Sequence, residues 1–113
     1  MRKWRTRHPC ANILHQLKGR KHRTKTAGSE ACDLTLEDIK ALCEPMICSV
    51  TGVPLRWTDI PFDPWRPSID RINSNKGYVH GNVRLVCTMY NLAKHRWTDE
   101  EVLFMASSLV ARK

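Results

Sequence analysis

From Pro67 to His95 the order of segments leaves little freedom of fold: "SIDRI", a turn-rich "NSNKGYVHG", "NVRLVC", then "TMYNLAKH". The first and third runs are short and aliphatic, and predict two strands. Asn73, Asn75, Gly77 and Gly81 between them suit a tight reversal. The fourth run predicts a helix. A lone two-stranded hairpin is marginal in water, so the helix has to pack across it. The expected unit is therefore strand, turn, strand, helix over 67–95, inside an α+β domain.

With 113 residues the chain has room for one domain. "LTLEDIKALCEPM" predicts a helix capped by Thr35, with Asp38 completing a capping box. Its Leu36, Ile39, Leu42, Cys43 and Met46 recur at helical spacing and predict a buried stripe. "CSVTGVPLRW" predicts β-type residues around a turn at Gly52, and "DIPFDPWRP" a loop ordered by Phe62 and Trp65. A last helix over 98–111 starts at Thr98, with Glu101 closing a second box. Its Val102, Leu103, Ala106, Leu109 and Val110 share an apolar face.

Charge divides the chain in two. Met1 to Ala27 carries nine Lys/Arg and no acid, whereas all 11 Asp/Glu follow. Residues 1–27 are read as a basic N-terminal arm, with a short helix at "ANILHQLK", and residues 28–113 as the domain proper. The formal net charge of +8 points to a polyanionic partner, of which nucleic acid is the commonest. Arg20, Lys21 and Arg23 in the arm are candidates for the phosphate backbone, where each neutralised phosphate adds salt-dependent affinity. Trp4 is the tryptophan best placed to stack on a base, while Trp57, Trp65 and Trp97 read as core or lid. Five cysteines without a CxxC pair suggest a reducing compartment. No apolar run of about 18 residues predicts a membrane span, and the expected location is the cytoplasm.

On the strand–strand–helix unit the polar residues converge. Asp70 ends the first strand and Asn82 opens the second; Asn91, Lys94 and His95 share one helix face. A helix crossing the hairpin carries Asn91 towards Asp70. A carboxylate and an amide oxygen are hard ligands, suited to Mg²⁺, which keeps most of its water. Taken singly, Asp70 reads as a turn cap or a partner of Arg71 or Arg84; only the joint pattern points to chemistry.

The residues resemble the HNH nucleases (His-Me finger, or ββα-metal, endonucleases). The family pattern N-x-x-x-L-C-x-x-C-H-x-x-K is matched by Asn82, Val86, Cys87, Tyr90, Asn91 and Lys94 in the same spacing, with Asn91 at the final His and Tyr90 at the second Cys. "SIDRI" stands where members carry Asp-His, so Asp70 takes the metal-binding position and Arg71 that of the His. The resemblance covers about Cys48 to Lys94. It implies a small ββα-metal core with flanking helices, and one Mg²⁺ or Mn²⁺ held by Asp70 and Asn91. Asn82 would brace the loop and orient the base, and Lys94 would sit at the phosphate. Arg84, Lys76 and His95 would supply further contacts to nucleic acid. The zinc pairs of many relatives are reduced here to Cys48 and Cys87, too few for a tetrahedral site, so structural zinc is not expected.

The resemblance implies an endonuclease hydrolysing DNA phosphodiester bonds, double-stranded DNA above all, and such small nucleases are frequent in phages. Arg71 stays protonated and cannot be the general base, though it can hold a phosphate bidentately. Three readings stay open. His80, or next His95, supplies the base; the cation or the substrate phosphate activates the water and turnover is slow; or the scaffold binds nucleic acid without cutting it. A protein-interaction module is a third class of function, supported by the apolar last helix. A dimer or a protein partner stays open too.

Overall fold

Thr35 and Thr98 each accept a hydrogen bond from the backbone three residues on, and Asp38 and Glu101 reach back to close both capping boxes. These orphan amides are satisfied locally, which is why the helices start where the sequence predicts. The computed structural model describes residues 8–20 and 32–112. Its elements are α1 (Pro9–Arg20), α2 (Leu36–Leu42), β1 (Pro67–Arg71), β2 (Val83–Cys87), α3 (Thr88–Lys94) and α4 (Asp99–Ala111). The chain is an α+β fold of four helices and one two-stranded antiparallel sheet among the described residues.

β1 and β2 pair in the register Pro67–Cys87, Ile69–Leu85 and Asp70–Arg84. Ile69, Leu85, Val86 and Cys87 enter the core with Ile39, Cys43, Cys48 and Leu55. Cys87 also serves α3 as N-cap, its Sγ accepting from the Tyr90 amide at 3.4 Å. α3 crosses the hairpin, as two strands alone would require.

Three expectations change. The basic segment is not all arm: α1 packs on α2, and Ile13 and Leu17 belong to the core. The core therefore begins well before residue 28. Leu17→Ala should accordingly cost about 2–5 kcal/mol in urea unfolding; a change within experimental error would mean that α1 is not docked.

The 60–66 loop is not ordered by Phe62, which is 85% exposed with a positive φ of 59°. Buried Asp63 orders it instead, accepting from Arg56 Nε at 3.1 Å and from the Trp65 amide at 3.0 Å. Trp65 packs against the core. Finally, α4 buries none of its residues. Its apolar side chains have no counterpart surface because α4 meets the rest of the described fold chiefly at α3, while Trp97 before it is half exposed. No described helix is long and apolar enough to cross a membrane.

Candidate functional site

The antiparallel register sets Asp70 directly across from Arg84. Opposite charges at that spacing attract, and Arg84 Nε donates to Asp70 Oδ2 at 2.9 Å. α3 delivers a second cation: Lys94 Nζ lies 3.1 Å from both Asp70 oxygens. The same ammonium donates to the Arg71 and Ile72 carbonyls at 2.6 and 3.2 Å. Lys94 is 1% exposed, so these acceptors replace water around its charge. Arg84 Nη2 continues to Asp99 at 2.7 Å, and Tyr90 donates its hydroxyl to the same carboxylate. The bond from Arg84 holds the Asp99 carboxyl below the ordinary range, against the opposing effect of burial. Two carboxylates and two cations thus form a balanced network that ties β1, β2, α3 and the first turn of α4.

Beside this network lies a cleft of about 220 Å³ lined by Asp70, Arg71, Ser74, Tyr78, Asn91, Leu92 and His95. The Asn91 amide nitrogen donates to Ser68 Oγ at 2.6 Å, which fixes the side chain and leaves its carbonyl oxygen as the free acceptor among the described contacts. Arg71 lies over the Tyr78 ring, 5.1 Å from its centre, and donates to the Lys76 carbonyl at 3.3 Å. His95 caps α3 with a positive φ of 47°, its amide bonded to the Asn91 carbonyl at 3.0 Å. His95 is one of the residues that line the cleft.

Asn82 works from behind. Buried, it accepts from the Asn73 amide at 2.9 Å and donates to the Asn73 and Gly77 carbonyls at 3.1 and 2.9 Å. One side chain thereby closes the whole 73–77 turn, carrying Ser74 and Tyr78 to the cleft.

His80 is not brought to the cleft. Its Nδ1 lies 3.2 Å from Asp33 and its Nε2 2.9 Å from Asp38, at the start of α2. Donating its ring N–H groups to Asp33, first, and to Asp38 pushes its pKa up and favours the protonated ring, the wrong form for a base. The hydrogen bond from the Thr35 backbone, first among several, holds the Asp38 carboxyl below the ordinary carboxylate range. A raised histidine contributes stability that is full below its unfolded pKa and is lost as pH rises through the folded one. The Asp38 contribution runs the other way, present above 3.8 and lost on acidification. The stability gap between wild type and His80→Gln should therefore be widest between about pH 4 and 6.5 and shrink towards alkaline pH. A gap independent of pH would mean that the imidazole is not paired.

Other expected nucleic-acid contacts lie elsewhere. Lys94 is buried against Asp70 and does not reach a phosphate. Arg84 is committed to two carboxylates and largely covered, its side chain 20% exposed. Lys76 is exposed on the hairpin turn. Arg20 ends α1, its side chain outside the described residues, as are Trp4, Lys21 and Arg23. Sequence reasoning missed Ser68, Ser74, Tyr78, Tyr90 and Asp99. The signal for Asp99 is faint, because its link to Arg84 depends on where α4 begins relative to the sheet.

The donor set fits a cation that keeps most of its water. Asp70 receives three hydrogen bonds, and an ionised carboxylate has about four acceptor positions. One carboxylate position and the Asn91 oxygen would remain. No group of three or more His, Cys, Asp or Glu suited to a metal occurs among the described residues. Cys48 and Cys87 are both 1% exposed and belong to the core.

No protein-family model matches the chain, and no solved structure matches it. It is similar to an uncharacterized 29.0 kDa protein of the dda-modA intergenic region of Enterobacteria phage T4, with 27% identity over 95 residues. The match covers 81% of this chain and 37% of that protein, so the chain spans little more than a third of its relative.

Proposed function

We propose that the chain is an HNH-type endonuclease that hydrolyses DNA phosphodiester bonds in the cleft between β1 and α3. The observation that carries this reading is the convergence of Asp70, Arg71, Asn91 and His95 on one cleft, from two different elements. The strand–strand–helix order with Asn82 behind the turn supports a ββα-metal core, and likeness to a phage protein suits a small nuclease.

Asp70 and Asn91 would hold one Mg²⁺ or Mn²⁺. When bound, that ion supplies charge stabilisation to the phosphate and the departing 3′ oxygen. Arg71 holds a non-bridging phosphate oxygen with a fork of donors that stays charged at any working pH. His95 accepts the proton of the attacking water, a task to which imidazole is suited near neutrality. Asn82 acts as a positioning residue, through the turn that carries Ser74 and Tyr78.

Nicking of supercoiled plasmid in Mg²⁺ or Mn²⁺ against chelator tests the reading. Asn91→Ala should reduce nicking by about 10²-fold or more, the scale of losing one preorganised stabilising group, while the fold persists. Full activity in that variant would remove Asn91 from the site.

One observation favours a second reading, a nucleic-acid-binding protein that does not cut. Asp70 is already neutralised by Lys94 and Arg84, which weakens its pull on a divalent ion. Salt-dependent DNA binding with no nicking in either metal would decide for that reading.

A further inference from the structure

Three cavities adjoin in a row. The candidate cleft shares Asn91 and Leu92 with a cavity of about 280 Å³ that reaches Phe62 and Arg66. It shares Ser74 with a third, of about 360 Å³, that reaches Arg96 and Trp97. Ser74 Oγ donates to the Arg96 carbonyl at 3.4 Å, which joins the hairpin turn to the segment after α3 where two cavities meet. Outside α4, Phe62 and Trp97 are the exposed aromatic side chains among the described residues, and they line opposite ends of the row. The positive φ of Phe62 is unusual for a bulky residue. The bonds of Asp63 to Arg56 and to the Trp65 amide fix the loop that sustains it. Trp97 donates its amide to the Lys94 carbonyl at 2.6 Å, and the Arg96 guanidinium lies over its ring, 5.2 Å from the centre.

We infer that this row is a track for a single, unpaired DNA strand, with Phe62 and Trp97 each stacking on a base to either side of the cleft. The inference rests on the nuclease reading in placing the scissile phosphate in that cleft. Charge along the row suits phosphates. Arg66, Arg71, His95 and Arg96 line it. Of the lining acids, Asp63, Asp70 and Asp99 are each bonded to a cation, and Glu100 is the exception. A cationic groove with aromatic platforms is the arrangement that holds single strands, because every unpaired base has an open π-face. In a duplex those faces are already stacked on neighbouring bases, and freeing one costs unstacking energy. Paired DNA therefore gains nothing from either ring.

Fluorescence anisotropy of the full chain with labelled oligodeoxynucleotides, in chelator, tests this without any cutting. A single strand should bind more tightly than the same sequence in a duplex at equal salt. Phe62→Ala and Trp97→Ala should each weaken single-strand binding about 5- to 150-fold, the effect of losing one stacked base. Duplex binding should stay within about two-fold, since no base stacks on either ring there. Phe62→Tyr and Trp97→Phe should keep most of the affinity, and an abasic strand should bind the wild type and both alanine variants alike. Phe62 is 85% exposed, so its removal leaves the core intact; circular dichroism checks both variants. Equal or tighter binding of the duplex overturns the proposal. Full single-strand affinity in both alanine variants overturns it as well, and so do equal losses on single strand and duplex. Single-strand preference lost in the variants, with no nicking by the wild type in Mg²⁺ or Mn²⁺, supports the track and overturns the hydrolysis reading alone.

Discussion

Replacing Lys94 with alanine is expected to lower folding stability by about 3–5 kcal/mol, the range for breaking a buried ion pair by removing one partner. The cause is what stays behind. Asp70 would remain buried with Arg84 as its sole cation, and the Arg71 and Ile72 carbonyls would lose the donor that satisfies them. Urea unfolding measures the loss; a cost under about 1 kcal/mol, the range of an exposed pair, would show that the ammonium is not seated on Asp70. Removing both charges together, Asp70→Asn with Lys94→Met, should recover part of the deficit, because neither partner is then stranded.

This network alters how the nuclease reading must be tested. Asp70→Ala strands Lys94, so lost nicking in that variant reports unfolding as readily as lost metal. Asn91 and His95 are the cleaner positions. His95→Ala should lower single-turnover nicking by about 10²–10⁴-fold, the usual contribution of a general base. His80→Ala should change it by no more than about two-fold, because that imidazole is held by Asp33 and Asp38 away from the cleft. Comparable losses in both variants would withdraw the assignment to His95.

The fold was largely legible because its signals are local. Thr35 with Asp38 and Thr98 with Glu101 are capping boxes that need only three residues of separation. Two short aliphatic runs around an Asn- and Gly-rich turn specify a hairpin through backbone preferences alone. The site was less legible. That Asp70 and Asn91 line one cleft follows from a helix crossing a hairpin, a step the sequence order permits. That Lys94 turns inward depends on the tilt of that crossing, which no periodicity encodes.

Charge misleads in the same way. Lys94 and Arg84 read as groups available to a phosphate and His80 as a general base, yet each is bound to a carboxylate. The three partners lie 24, 14 and 42 residues away in sequence. The basic segment shows the complementary failure, since Ile13 and Leu17 anchor α1 to the core despite the charge around them.

What the chain determines by itself is where helices start, where the hairpin turns, and how unevenly its charge is spread. Those properties come from backbone geometry and composition, which act over a few residues or over the whole. Tertiary structure alone decided which cations are spent on Asp70 and Asp99, which histidine reaches the cleft, and that α4 stands bare. Burial and pairing are properties of distance in space, and only the packed chain sets those distances.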